Sequence, residues 1–95
     1  AKEYSIFMRA RLNSYMDPDS KQGLAKPFYE EIASLIEGHT AELTAADKAR
    51  LVESYHYLIS YYFNVKQQTE KAKEISHKLL KVAPNDTVAK QVIGL

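Results

Sequence analysis

The sequence has no cysteine, which excludes disulfides and thiolate metal sites without identifying a compartment. Neither sign of charge predominates: thirteen basic residues against twelve acidic ones leave a formal charge of +1. Nucleic-acid binders usually concentrate a basic excess on one face, so no nucleic-acid partner is expected. No apolar run approaches the ~18 residues of a membrane span, and no charged-apolar-small leader opens the chain; no membrane partner is expected. The opening "AKEYSIF" lacks a methionine and already has a helical pattern, from which we expect a piece of a longer protein, its N-terminal part missing. Glycine and proline are scarce, three of each in 95 residues, and they punctuate the sequence at a few places.

What remains is a composition suited to a packed core, 45% hydrophobic and 26% charged, in a length that fits one small domain. Helix-compatible residues fill 1–16 and end at the turn-forming "DPDSKQG". A second helix is expected from about Leu24 to Glu37, with Leu24, Phe28, Ile32, Leu35 and Ile36 on one buried face. Pro27 is compatible with its first turn, and Gly38 sits at its C-terminal cap. Thr44 with Asp47 resembles a capping box. It opens a third helix reaching towards Lys66 along a stripe of Ala45, Ala49, Val52, Tyr55, Ile59 and Tyr62. Thr69 is the expected N-cap of a fourth helix with Ala72, Ile75, Leu79, Leu80 and Val82 inside. Pro84 stops it, and Asp86 caps a short last helix carrying Val88, Val92 and Ile93. The expected fold class is all-α: two antiparallel helical hairpins plus a short C-terminal capping helix, in one domain over 1–95.

Read backward from Pro84, His56, Ile59, Ser60, Phe63, Ala72, Ser76 and Pro84 resemble the spacing of a tetratricopeptide repeat, W-x₂-L-G-x₂-Y, A-x₃-F and P within 34 residues. His56 and Ser76 depart from that pattern. A degenerate copy over 3–37 uses Ala10 and Ala25 as its small residues, with three extra residues in "DPDSKQG". The stretch "MDPDSKQGLAKP" is similar to segments of bacterial tetratricopeptide proteins. The resemblance implies an α-solenoid in which Ser60 and Ala72 sit at the closest helix approach, Phe63 fills the volume beside them, and Pro84 marks the repeat boundary. It also implies an interaction scaffold that binds a peptide or partner domain on a concave face. Its groove residues would be Tyr4, Phe7, Arg11 and Ser14 in the first repeat. In the second they would be Ser54, Tyr57, Tyr61, Asn64 and Val65. Leu58 and Tyr61 stand where a carboxylate clamp would need asparagine or a cation, which favours an apolar or aromatic peptide.

Four tyrosines, Tyr55, Tyr57, Tyr61 and Tyr62, lie within eight positions, and a regular helix cannot turn them all to one face. "IFM" at 6–8 places three apolar side chains around the first helix, more than one hairpin is expected to bury, so self-association through that helix is an alternative. The alternative roles are a purely structural end of a longer array, or an accessory domain of an enzyme elsewhere in the chain. For catalysis, His39, His56 and His77 lack an HExxH pattern, and "EE" at 30–31 and "DPD" at 17–19 read as helix surface and turn rather than acid–base pairs. No catalytic role, cofactor or metal is expected.

Overall fold

The computed structural model describes all residues except Ala1, Thr40 and Ala41; Ala1, the first residue of the expected opening helix, lies outside that set. The described residues form five α-helices: α1 (Lys2–Met16), α2 (Lys26–Glu37), α3 (Ala45–Ser60), α4 (Thr69–Val82) and α5 (Thr87–Ile93). No strand occurs among them. Each helix packs on the next in the chain, α1 on α2 through α4 on α5, an arrangement compatible with helical repeats. The result is a flattened body of 35 × 31 × 17 Å.

Local chemistry explains most of the boundaries. Asp17 is buried, and its carboxylate accepts the backbone N–H groups of Gln22 and Leu24 at 3.3 and 3.2 Å. That turns the chain from α1 into α2 without leaving those donors unpaired. Gly23 has φ +67°, a conformation costly to any residue with a Cβ, and an added Cβ would lie 2.8 Å from the Tyr61 hydroxyl. Gly38, by contrast, has an ordinary right-handed backbone, so glycine's conformational freedom is used in the first loop and not at the expected cap. At α3, the Thr44 hydroxyl accepts from the Asp47 amide at 3.1 Å, and the Asp47 carboxylate accepts from the Thr44 amide at 3.3 Å. Asp86 caps α5 through the Ala89 amide at 2.9 Å. The expected cap of α4 is corrected: Gln68 holds that position without a side-chain bond, and Thr69 is already helical. Gln67, at φ +55°, makes the turn, and the Gln68 amide bonds the Tyr62 carbonyl at 2.7 Å.

The third helix does not run regularly to Lys66. After Ser60 it widens into a π-helical turn, Tyr61–Val65, closed by the Lys66 amide on the Tyr61 carbonyl at 3.1 Å. A π turn inserts an extra residue per turn and rotates the residues after it about the helix axis. Tyr61 and Tyr62, which open this turn, are both buried, as is Tyr55, while Tyr57 is half-buried. The inward stripe of α3 is Leu51, Ser54, Tyr55, Leu58 and Ile59; Ala45 and Ala49, expected on it, are exposed.

Among the small residues, Ala10, Ala25 and Ala72 are fully buried. Ser60 is not: it is exposed and accepts a hydrogen bond from Asn64 at 3.2 Å. Its expected place at the closest helix approach is therefore corrected, because the 100° step of the helix turns Ser60 outward once Ile59 points in. Phe63 is half-buried beside the core and Pro84 lies exposed in the turn between α4 and α5. Ile6 and Phe7 are buried by the first hairpin, so the crowding expected of "IFM" is absorbed apart from a half-buried Met8.

Candidate functional site: a groove between α1 and α3

A groove of about 620 Å³ is lined by Arg11, Ser14 and Tyr15 of α1, Pro18 and Ser20 of the first loop, and Tyr29 of α2. Its opposite wall is Glu53, His56, Tyr57 and Ser60 of α3. On α3 these four recur at spacings of three and four, the outward complement of the Leu51–Ser54–Leu58 stripe.

The two walls are tied together at Glu53. Arg11 donates to it through Nε at 3.0 Å and Nη2 at 2.7 Å, a bidentate pair, and the Tyr29 hydroxyl donates to the same carboxylate at 2.9 Å. One acid thus joins α1, α2 and α3. The Arg11 hydrogen bonds hold the Glu53 carboxyl below its ordinary value, against its partial burial. The same bonds raise Arg11, so the guanidinium stays charged. Burial, reinforced by the hydrogen bond to Glu53, raises Tyr29 well above the ordinary phenol, so it remains a donor. Two more buried tyrosines follow the same rule: Tyr55 donates to Glu37, and Tyr62 to Glu30 at 2.7 Å. In each case a ring fills the core while its hydroxyl reaches a carboxylate nearer the surface.

Behind the groove the aromatic rings form a continuous series. Phe7 meets Tyr29 edge-on at 6.5 Å, Tyr29 stacks on Tyr57 at 4.7 Å, Tyr57 lies parallel to Tyr61 at 6.2 Å, and Tyr61 meets Tyr62 edge-on at 5.4 Å. Tyr29 and Tyr57 are the members that reach the groove. Among the described residues the Tyr57 hydroxyl is buried without a hydrogen-bond partner, and burial raises its pKa. At one lip His56 contacts the α5 cap, with Nε2 2.7 Å from an Asp86 oxygen. Burial opposes ionisation of Asp86, but the Ala89 amide and His56 outweigh it and lower its pKa.

Of the groove residues expected from sequence, Arg11, Ser14 and Tyr57 line it. Phe7, Ser54 and Tyr61 do not; they are buried, Ser54 completely, with its hydroxyl on the Arg50 carbonyl at 2.7 Å. These three are corrected from groove to core. Tyr4 is exposed beside Arg50, and Asn64 and Val65 lie on the π turn; none of the three lines the groove. The groove face of α3 is Glu53–His56–Tyr57–Ser60, shifted by one residue from the Ser54–Tyr57–Tyr61 register. A partial signal for it exists: Glu53, His56 and Ser60 recur at helical spacing as polar positions, although the polar Ser54 between them is buried.

His39 lies outside the groove. Its Nε2 is 2.6 Å from Glu3 of α1 and its Nδ1 3.4 Å from Asp47, the capping acid of α3. The bond to Glu3 raises the His39 pKa. Burial opposes ionisation of Asp47, but its bonds to Thr44 and the nearby His39 lower its pKa. His77 is exposed. Among the described residues no three His, Cys, Asp or Glu side chains are gathered to hold a metal ion, and no helix is long and apolar enough to cross a membrane. Compared with family models, curated proteins and solved structures, the chain matches none.

Proposed function

We propose that this chain is a non-catalytic protein-interaction module built of tetratricopeptide-like hairpins, and that it holds a peptide segment of a partner protein in the groove between α1 and α3. The observation that carries this reading is the groove itself, open, about 620 Å³ in volume and walled by successive outward positions of two helices. Its chemistry suits a peptide. The rings of Tyr15 and Tyr57 offer flat apolar area with little rotamer freedom to lose, and Ser14, Ser60 and His56 offer hydrogen bonds along the walls. Arg11 is already paired with the Glu53 carboxylate through Nε and Nη2, which offsets its charge, so an apolar or aromatic side chain fits the site better than a terminal carboxylate.

Selection from a peptide-display library, followed by titration of the recovered peptide, tests the reading. Ser14→Arg and Ser60→Arg fill the groove from its rims without touching the core. A peptide bound by the parent chain and at least tenfold weaker with either variant, about 1.4 kcal/mol, supports the groove. Binding unchanged by both variants, or no selectable peptide at all, rejects it.

A further inference from the structure

Helix α1 carries apolar side chains on two opposite faces. Ile6, Phe7 and Ala10 enter the core. Tyr4, Met8, Leu12, Tyr15 and Met16 fall within an arc of about 120° on the other side, at 100° per residue. Exposure is 55% for Tyr4, 57% for Leu12, 76% for Tyr15 and 64% for Met16. At roughly 200 Å² for a large side chain, these four leave on the order of 500 Å² uncovered. That is the upper range for the largest apolar patch of a monomer, and such patches are often functional.

The border of this stripe is positively charged. Lys2 and Arg9 follow it along one edge of α1, and the Arg50 guanidinium of α3 lies 5.9 Å from the Tyr4 ring centre at the other. None of the three forms an ion pair among the described residues. Glu3, the acid of α1, is held by His39. A second copy of this chain laid on the stripe would bring like-charged borders together, which costs affinity. A helix with an apolar stripe and acidic flanks would meet both the apolar surface and the uncompensated cations.

We propose that the outer face of α1 docks an amphipathic helix of another protein, apolar at i, i+3, i+4 and i+7 and flanked by Asp or Glu. The apolar stripe supplies most of the ~800 Å² that a standard interface buries on each partner, and the charged border supplies the rim. Met8 and Met16 adapt to the partner's shape because an unbranched thioether repacks at little cost. The site is separate from the groove, sharing with it only Tyr15 at its edge.

The test uses two synthetic helical peptides of about 18 residues, long enough to hold a helix on docking, with identical leucine stripes and either glutamate or lysine flanks. Fluorescence anisotropy is expected to give micromolar binding of the glutamate peptide and at least tenfold weaker binding of the lysine peptide. Leu12→Glu and, independently, Met16→Ser should each weaken the glutamate peptide several-fold while leaving the thermal melt near that of the parent chain. Lys2→Glu/Arg9→Glu should reverse the preference between peptides, a result that general apolar stickiness would not give. Equal binding of both peptides, or indifference to Leu12→Glu, overturns the proposal. So does dimerisation in sedimentation abolished by Leu12→Glu, which makes the occupant a second copy. Co-sedimentation with phosphatidylserine vesicles lost in the same variant would make it a lipid surface.

Discussion

Replacing Glu53 with alanine removes the acceptor that α1 and α2 share on α3. Arg11 loses a bidentate partner and Tyr29 loses the acceptor of its hydroxyl. The two losses differ in kind. The Arg11 and Glu53 side chains are 43% and 34% exposed, so solvent screens the pair, and its loss costs only about 0.5–1 kcal/mol. Tyr29 is 3% exposed, and a buried hydroxyl left without an acceptor costs about 1–2 kcal/mol. Glu53→Ala should therefore cost about 2 kcal/mol in urea denaturation, lowering Tm by roughly 10 °C for a chain of this size. Tyr29→Phe removes donor and need together and should cost about 1 kcal/mol. In the double variant the hydroxyl is no longer stranded, so the combined cost should fall short of additivity by about 1 kcal/mol. High salt should reduce the Arg11 part and leave the Tyr29 coupling in place. Strict additivity, or a Glu53→Ala cost below about 0.3 kcal/mol, would refute the shared-acceptor argument. The pH dependence takes its sign from the direction of the shift. A carboxyl depressed in the folded state stabilises above its unfolded pKa of about 4.3, and that contribution disappears as pH falls through the depressed folded value. The gap between the parent chain and Glu53→Gln should narrow below about pH 4.

Three further outcomes are expected. Tyr57→Phe keeps the ring stack and deletes a buried hydroxyl that has no hydrogen-bond partner among the described residues; thermal denaturation should show no loss, or a gain of up to about 1 kcal/mol. The raised His39 pKa means that its link to Glu3 and Asp47 stabilises fully below the unfolded value of about 6.5 and fades as pH rises through the folded value. Tm should therefore decline across that interval, and His39→Gln should flatten the decline; a parent chain with no such slope would contradict it. Gly23→Ala forces a left-handed backbone on alanine and presses a methyl against Tyr61, so it should cost about 1–3 kcal/mol in a urea titration, whereas Gly38→Ala should change little.

Periodicity and caps make the helices legible. The Ile32–Ile36 and Ile75–Leu79 faces, the Thr44–Asp47 box and the Asp86 cap depend on neighbours within about one turn, an interaction range that sequence spacing encodes directly. The groove is legible only in part. Spacing points to Arg11, Ser14 and Tyr57, but it also puts Phe7, Ser54 and Tyr61 on the same surface, and those three are core.

The reason lies in rotation about the helix axis. Sequence spacing says which residues share a face, but contacts with α1, α2 and α4 decide which face turns inward. A one-residue difference in that choice replaces Ser54 by Glu53 and exchanges Ser60 between crossing and groove. The π turn compounds this, since it rotates the residues after it away from the register that a regular helix would give them. The sequence by itself determined an all-α chain and the approximate extent of its helices, because those arise from local propensity and period. Tertiary packing decided that Glu53 would join three helices, that the tyrosine rings would stack in series, and that α1 would keep one apolar face uncovered, because each depends on residues brought together from distant parts of the chain.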